Sequence, residues 1–166
     1  MRKALHTVVR TVDGINWLVG WILAALMLVM TVLISWQVFA RYVMGSSLTF
    51  SEEVSRFSMV WMTMLGAAYA YRQGSLIAVD LLTSMSGPKV SRVVHLLIAL
   101  ASCTFAFVLL KYGLAITERV ATQTAPSTRV SMAWLYGAMP AGAALIFLNA
   151  LAIIADDFSG KKDAAA

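Results

Sequence analysis

Of 166 residues, 60% are hydrophobic and 13% charged, with a mean hydropathy of +0.79, which excludes an ordinary soluble domain and marks an integral membrane protein. The net charge of +5 comes from basic residues scattered among segment ends, so nucleic acid is not a predicted partner, and the single Cys103 excludes an internal disulfide or a Cys-based metal site. Each crossing takes about 20 residues through roughly 30 Å of hydrocarbon, so residues 1–166 read as one all-α membrane domain with four transmembrane helices.

The first predicted helix covers 14–40, a 27-residue run without a charge from Gly14 to Ala40, edged by Trp17 and Trp36. Arg2, Lys3 and Arg10 mimic the start of a signal peptide, but the apolar run far exceeds the roughly 7–15 residues of such a segment, so it reads as uncleaved. The second helix is placed at 53–73. Its apolar core, Phe57 to Tyr71, has only 15 residues between Arg56 and Arg72, about 22 Å of helix, and spans only if its flanks enter the interface and the arginines snorkel. The stretch "LIAVDLLTSMSGPK", Leu76 to Lys89, is broken by Asp80 and closed by Gly87-Pro88; it reads as a short interfacial helix and turn. The third helix is placed at 90–111 and the fourth at 130–155, with a turn expected at Pro126-Ser127-Thr128 between them. The tail "DDFSGKKDAAA" reads as frayed.

Counting Lys and Arg on alternate sides gives eight on the side of the N-terminus (Arg2, Lys3, Arg10, Arg72, Lys89, Arg92, Lys161, Lys162) against five on the other (Arg41, Arg56, Lys111, Arg119, Arg129). The positive-inside rule then puts both termini in the cytoplasm and Glu52, Glu53 and Arg56 at the outer face.

Apart from His95, the ionisable side chains lie outside or at the ends of the four apolar cores. A chain that moved ions through itself would be expected to carry polar groups near the midplane, so this one is not predicted to form a path alone. His95 lacks a second intramembrane histidine for a bis-histidine haem, and no nucleophile–base set or Gly-rich phosphate loop is present; neither an enzyme nor a cofactor is expected. The methionines of "MVWMTMLGAAYA" read as packing or lipid-facing groups, Gly66, Ala67 and Ala68 as a small-residue patch for close helix approach, and Pro140 as a kink in helix four. Thr49 and Glu52 fit a capping box, and Arg56 can reach Glu52 or Glu53. A sharper alternative is a polar contact of this cluster with a partner or with Arg41.

The run "RYVMGSSLTFSEEVSRFSMVWMTMLGAAYAYRQGSLIAVDLL", Arg41 to Leu82, resembles the small membrane subunit, DctQ-type, of tripartite ATP-independent periplasmic (TRAP) transporters. The matching positions are Arg41, Tyr42, Ser51, Glu52, Glu53, Arg56, Trp61, Gly66, Ala67, Arg72 and Asp80 to Leu82; in helix four Ser131, Trp134, Tyr136, Pro140 and Gly142 also agree. Leu76 departs from the pattern, where many members carry a histidine. The resemblance implies a non-catalytic scaffold in the bacterial inner membrane. Its implied partners are a large membrane subunit (DctM-type) that imports an organic anion on a sodium gradient, a periplasmic substrate-binding protein (DctP-type) and membrane lipids. Arg41, Glu52, Glu53, Arg56, Trp61, Gly66, Arg72, Asp80, Trp134 and Pro140 are the candidate structural or partner-contact residues, with Glu52, Glu53 and Arg56 expected to brace helix two against helix one. The competing readings are an autonomous four-helix exporter and a haem-bearing membrane redox subunit.

Overall fold

Long charge-free runs with no interior proline favour uninterrupted helix in lipid, where every backbone group must be satisfied internally. A computed structural model describes residues 2–45, 49–73 and 88–159, and there the chain forms α1 (Arg2–Val43), α2 (Thr49–Arg72), α3 (Pro88–Arg119), α4 (Ala133–Tyr136) and α5 (Ala138–Ser159). The described residues hold no strand, only an isolated antiparallel bridge between Thr124 and Ser131.

Among the described residues, three segments are long and apolar enough to cross a membrane: Val9–Val43, Leu97–Arg119 and Ala133–Ile154. α2 is not among them. Part of the reason is where its polar residues lie, since Ser51, Ser55 and Ser58 are buried along one side of the helix. They lower its hydropathy while facing protein rather than the outside.

Helix α5 is the centre, packing against α1, α2 and α3, while among the described residues α1 and α3 do not pack on each other. Small residues make this position possible: Ala138, Ala143, Ala150 and Ala152 on α5 are completely buried, which lets neighbouring backbones approach closely. The tightest approach is at Gly142, where an added Cβ would lie 2.8 Å from Met64 Cβ and 3.0 Å from the Met64 carbonyl oxygen. The paired positions 64–142 and 68–149 show that α2 and α5 run parallel, whereas 13–72 and 16–149 show α1 running against both. On α3, Gly113 faces Pro140.

The boundaries differ from the sequence expectations at several ends; α2, for example, begins at Thr49 rather than at 53 and α1 ends at Val43 rather than at 40. α1 begins at Arg2, not near residue 14, because nothing before Gly14 breaks a helix. α3 continues to Arg119 rather than ending near 111, with Lys111, Glu118 and Arg119 on its exposed side. Residues 130–132, expected to begin helix four, instead complete a hairpin-like turn, with Ala125 N–H donating to Val130 O at 2.8 Å and Met132 N–H to Gln123 O at 2.8 Å. The expected helix four is broken at Gly137, three residues before Pro140. Without an N–H, Pro140 cannot bond to Tyr136 O, yet Gly137 between α4 and α5 keeps helical angles (φ −60°, ψ −20°). The expected interfacial helix at 76–89 falls outside the described residues, save for its last two, which open α3.

Candidate functional site

Side chains with hydrogen-bonding capacity inside a helix bundle need partners, and here they gather into two polar layers. The first lies at the end where α1 enters its apolar run and α2 terminates. Arg72, last residue of α2, donates from Nε (2.9 Å) and Nη2 (2.7 Å) to Oδ1 of Asp13. The Arg72 side chain is 13% exposed and that of Asp13 53%, so the guanidinium is largely covered while its partner faces outward. One turn deeper Asn16 and Asn149 exchange bonds: Asn16 Nδ2 donates to Asn149 Oδ1 at 2.6 Å, and Asn149 Nδ2 donates to Asn16 Oδ1 at 3.2 Å. Asn149 Nδ2 also donates to Ala68 O (2.8 Å), and Asn16 Nδ2 to Val12 O (2.8 Å). The completely buried Asn149 thereby joins α5 to both α1 and α2. A cleft of about 510 Å³ lies beside this layer, lined by Asp13, Asn16, Trp17, Tyr69, Arg72 and Gln73.

The second layer lies at the opposite end, around the turn between α3 and α4. Arg129 takes a left-handed conformation (φ 54°) and its N–H bonds to Ala125 O at 3.0 Å. Ser127 and Thr128 N–H groups both donate to Oε2 of Glu53, at 3.0 and 2.7 Å. A carboxylate taking two backbone donors is a strong acceptor arrangement, and it fastens the start of α2 to the turn. Ser131 Oγ closes the hairpin by donating to Ala121 O at 2.8 Å. Farther along α2, Trp61 Nε1 donates to Trp134 O at 2.8 Å, tying α2 to α4.

Residues 30–160 match the family model for tripartite ATP-independent periplasmic transporters, DctQ component. The chain belongs to this family. It is 27% identical over 124 residues, 74% of each chain, to the "Putative TRAP transporter small permease protein" of Haemophilus influenzae. It is also 24% identical over 135 residues to the sialic acid TRAP transporter permease protein SiaT of another Haemophilus influenzae strain, which covers 81% of this chain but only 22% of SiaT. This chain is thus a DctQ-type small membrane subunit of a TRAP transporter.

The structure separates the candidate residues of the DctQ pattern by role. Glu52 and Glu53 do not act as a pair: Arg56 approaches Glu52 at 3.7 Å with both side chains well exposed, a contact of little energetic weight, while Glu53 holds the turn. Where the cluster was expected to brace helix two and helix one, Glu53 alone fastens α2, and it does so to the α3–α4 turn; among the described residues Arg41 makes no ion pair with either glutamate. Gly66 is not the close-approach point, since a Cβ there would meet only Leu23 at 3.9 Å. Trp134 contributes its carbonyl to Trp61, and the residue is itself exposed. Asp80 and the His95 side chain lie outside the described residues.

Asp13, Asn16, Met64, Asn149 and the backbone of 127–128 were not expected to carry the structure. A search confined to ionisable groups passes over amides, yet Asn149 is the sole amide side chain in the run 130–155. A lone Asn in such a run is the available signal, because its desolvation demands a partner.

Proposed function

We propose that this subunit is a fixed scaffold: it spans the bacterial inner membrane four times with both termini in the cytoplasm. Beside it, a separate large membrane subunit imports an organic anion on a sodium gradient, supplied by a periplasmic binding protein. The observation that supports the reading is the contact of α2 with α5, where Gly142 leaves no room even for a methyl group against Met64, which closes the space between these helices at that level. α2 counts as the fourth span because it lies parallel to α5 and in register with it, and its 24 residues extend about 36 Å. The lysine and arginine balance of eight to five favours the Asp13–Arg72 layer as cytoplasmic and the Glu53 turn as periplasmic.

An apolar exterior suits attachment to lipid and to another membrane protein. Trp17, Trp21, Leu28, Trp36 and Tyr42 on α1 and Leu97, Leu100, Phe105 and Tyr112 on α3 are all well exposed. That the matched part forms 22% of SiaT supports a partner that is itself a permease. Isolation in mild detergent tests the proposal: a large multi-helix protein should accompany the tagged chain through two purification steps. Recovery of this chain without one from membranes that contain the whole transporter would refute it.

A further inference from the structure

We infer that the cleft between the N-terminal part of α1 and the end of α2 binds the headgroup of a phospholipid bearing a primary ammonium, of the phosphatidylethanolamine class. The inference needs only the membrane setting of the chain, not its transport role.

Position comes first. The cleft sits where the charge-free run of α1 begins after Asp13 and where α2 ends at Arg72 and Gln73, which is headgroup depth for a helix whose next residues are apolar. Its volume of about 510 Å³ is open on one side, in the range of small-molecule sites. Trp17 forms one wall, 68% exposed, and packs edge-on against Trp21, 62% exposed, at 6.1 Å between ring centroids. These indoles continue the cleft onto the outer face of α1, where acyl chains would lie.

Charge then selects the headgroup. Arg72 and Asp13 bring a cation and an anion to neighbouring positions, neutral as a pair. The two bonds that Asp13 receives from Arg72 both end on Oδ1, so the half-exposed carboxylate retains Oδ2 as an acceptor for an ammonium N–H. Tyr69 and Gln73, which line the same cleft, supply hydrogen-bond donors for the phosphate. A choline headgroup has no N–H to give Asp13. An anionic glycerol headgroup brings its phosphate beside the same carboxylate without a compensating cation. The cleft therefore distinguishes three common headgroups by hydrogen-bond donation and charge.

The test loads the full chain, purified in mild detergent, into nanodiscs with equal amounts of phosphatidylethanolamine, phosphatidylcholine and phosphatidylglycerol of identical acyl chains. Lipids retained on re-extraction are counted by native mass spectrometry. Phosphatidylethanolamine should be retained about tenfold over the other two, the weight of one charged hydrogen bond, and N-methylation of its amine should abolish the preference stepwise. Asp13→Asn should bring its retention down to that of phosphatidylcholine. Trp17→Ala, which leaves the Asp13–Arg72 pair intact, should lower retention several-fold. The lipid series on the unaltered protein decides the matter even if Asp13→Asn fails to fold. Equal retention of the three lipids, or full preference in a folded Asp13→Asn variant, overturns the inference. So does displacement of the lipid by soluble glycerophosphoethanolamine, which would assign the cleft to a free phosphate ester.

Discussion

Replacing Asn149 by Leu keeps the number and branching of the side-chain heavy atoms and removes the bonds that join three helices, so it chiefly probes the polar contribution. Three interhelical bonds are lost: the two exchanged with Asn16 (2.6 and 3.2 Å) and the one to Ala68 O (2.8 Å). Measured membrane interhelical bonds average about 0.6 kcal/mol and reach about 1.7, which puts the loss at roughly 2–4 kcal/mol, allowing for the buried Asn16 oxygen left without a donor. The double variant Asn16→Leu/Asn149→Leu removes that orphan as well, and its loss should fall short of the sum of the single losses by about 1–2 kcal/mol. Unfolding in mixed micelles with increasing dodecyl sulfate, followed by tryptophan fluorescence, reads both quantities. An Asn149→Leu protein as stable as the parent, or strictly additive single effects, would refute the view that the amide pair locks the bundle.

Enlarging Gly142 to Val should separate α2 from α5, because the first added atom already lies 2.8 Å from Met64 Cβ; a loss of about 1–3 kcal/mol is expected in the same unfolding assay, and none if the contact is absent. Glu53→Ala should free the Ser127 and Thr128 amides, raising their hydrogen exchange about tenfold, whereas Glu52→Gln should leave it unchanged. Cysteines at Gln73 and at Arg129, next to opposite polar layers, should react with a membrane-impermeant thiol reagent from opposite sides of sealed vesicles. Labelling of both from one side would contradict the four-span topology.

The helical class was legible because hydropathy alone decides it, and the ordered residues from Arg41 to Leu82 carried the family. The Pro126-Ser127-Thr128 step correctly marked a turn. Helix ends were less legible. Lys111, Glu118 and Arg119 suggest a loop by polarity, yet they occupy one exposed side of a helix whose buried Gly113 packs on Pro140. The roles of Glu53 and Arg72 depend on partners 74 and 59 residues away, a separation at which local pattern carries no information. Capping and i,i+4 rules favoured a Glu52–Glu53–Arg56 cluster; the long-range backbone donors of the turn took Glu53 out of it. The Gly142 contact is equally non-local, since "GAMPAGAAL" announces small residues but not which of them meets α2.

Proteoliposomes test the scaffold role most directly. Vesicles with this chain alone, with the large membrane subunit alone and with both would receive a sodium gradient, the binding protein and a panel of labelled organic acids that includes sialic acid. The account predicts no accumulation by this chain alone and uptake when both subunits are present; sodium-driven accumulation in vesicles that contain only this chain would contradict it.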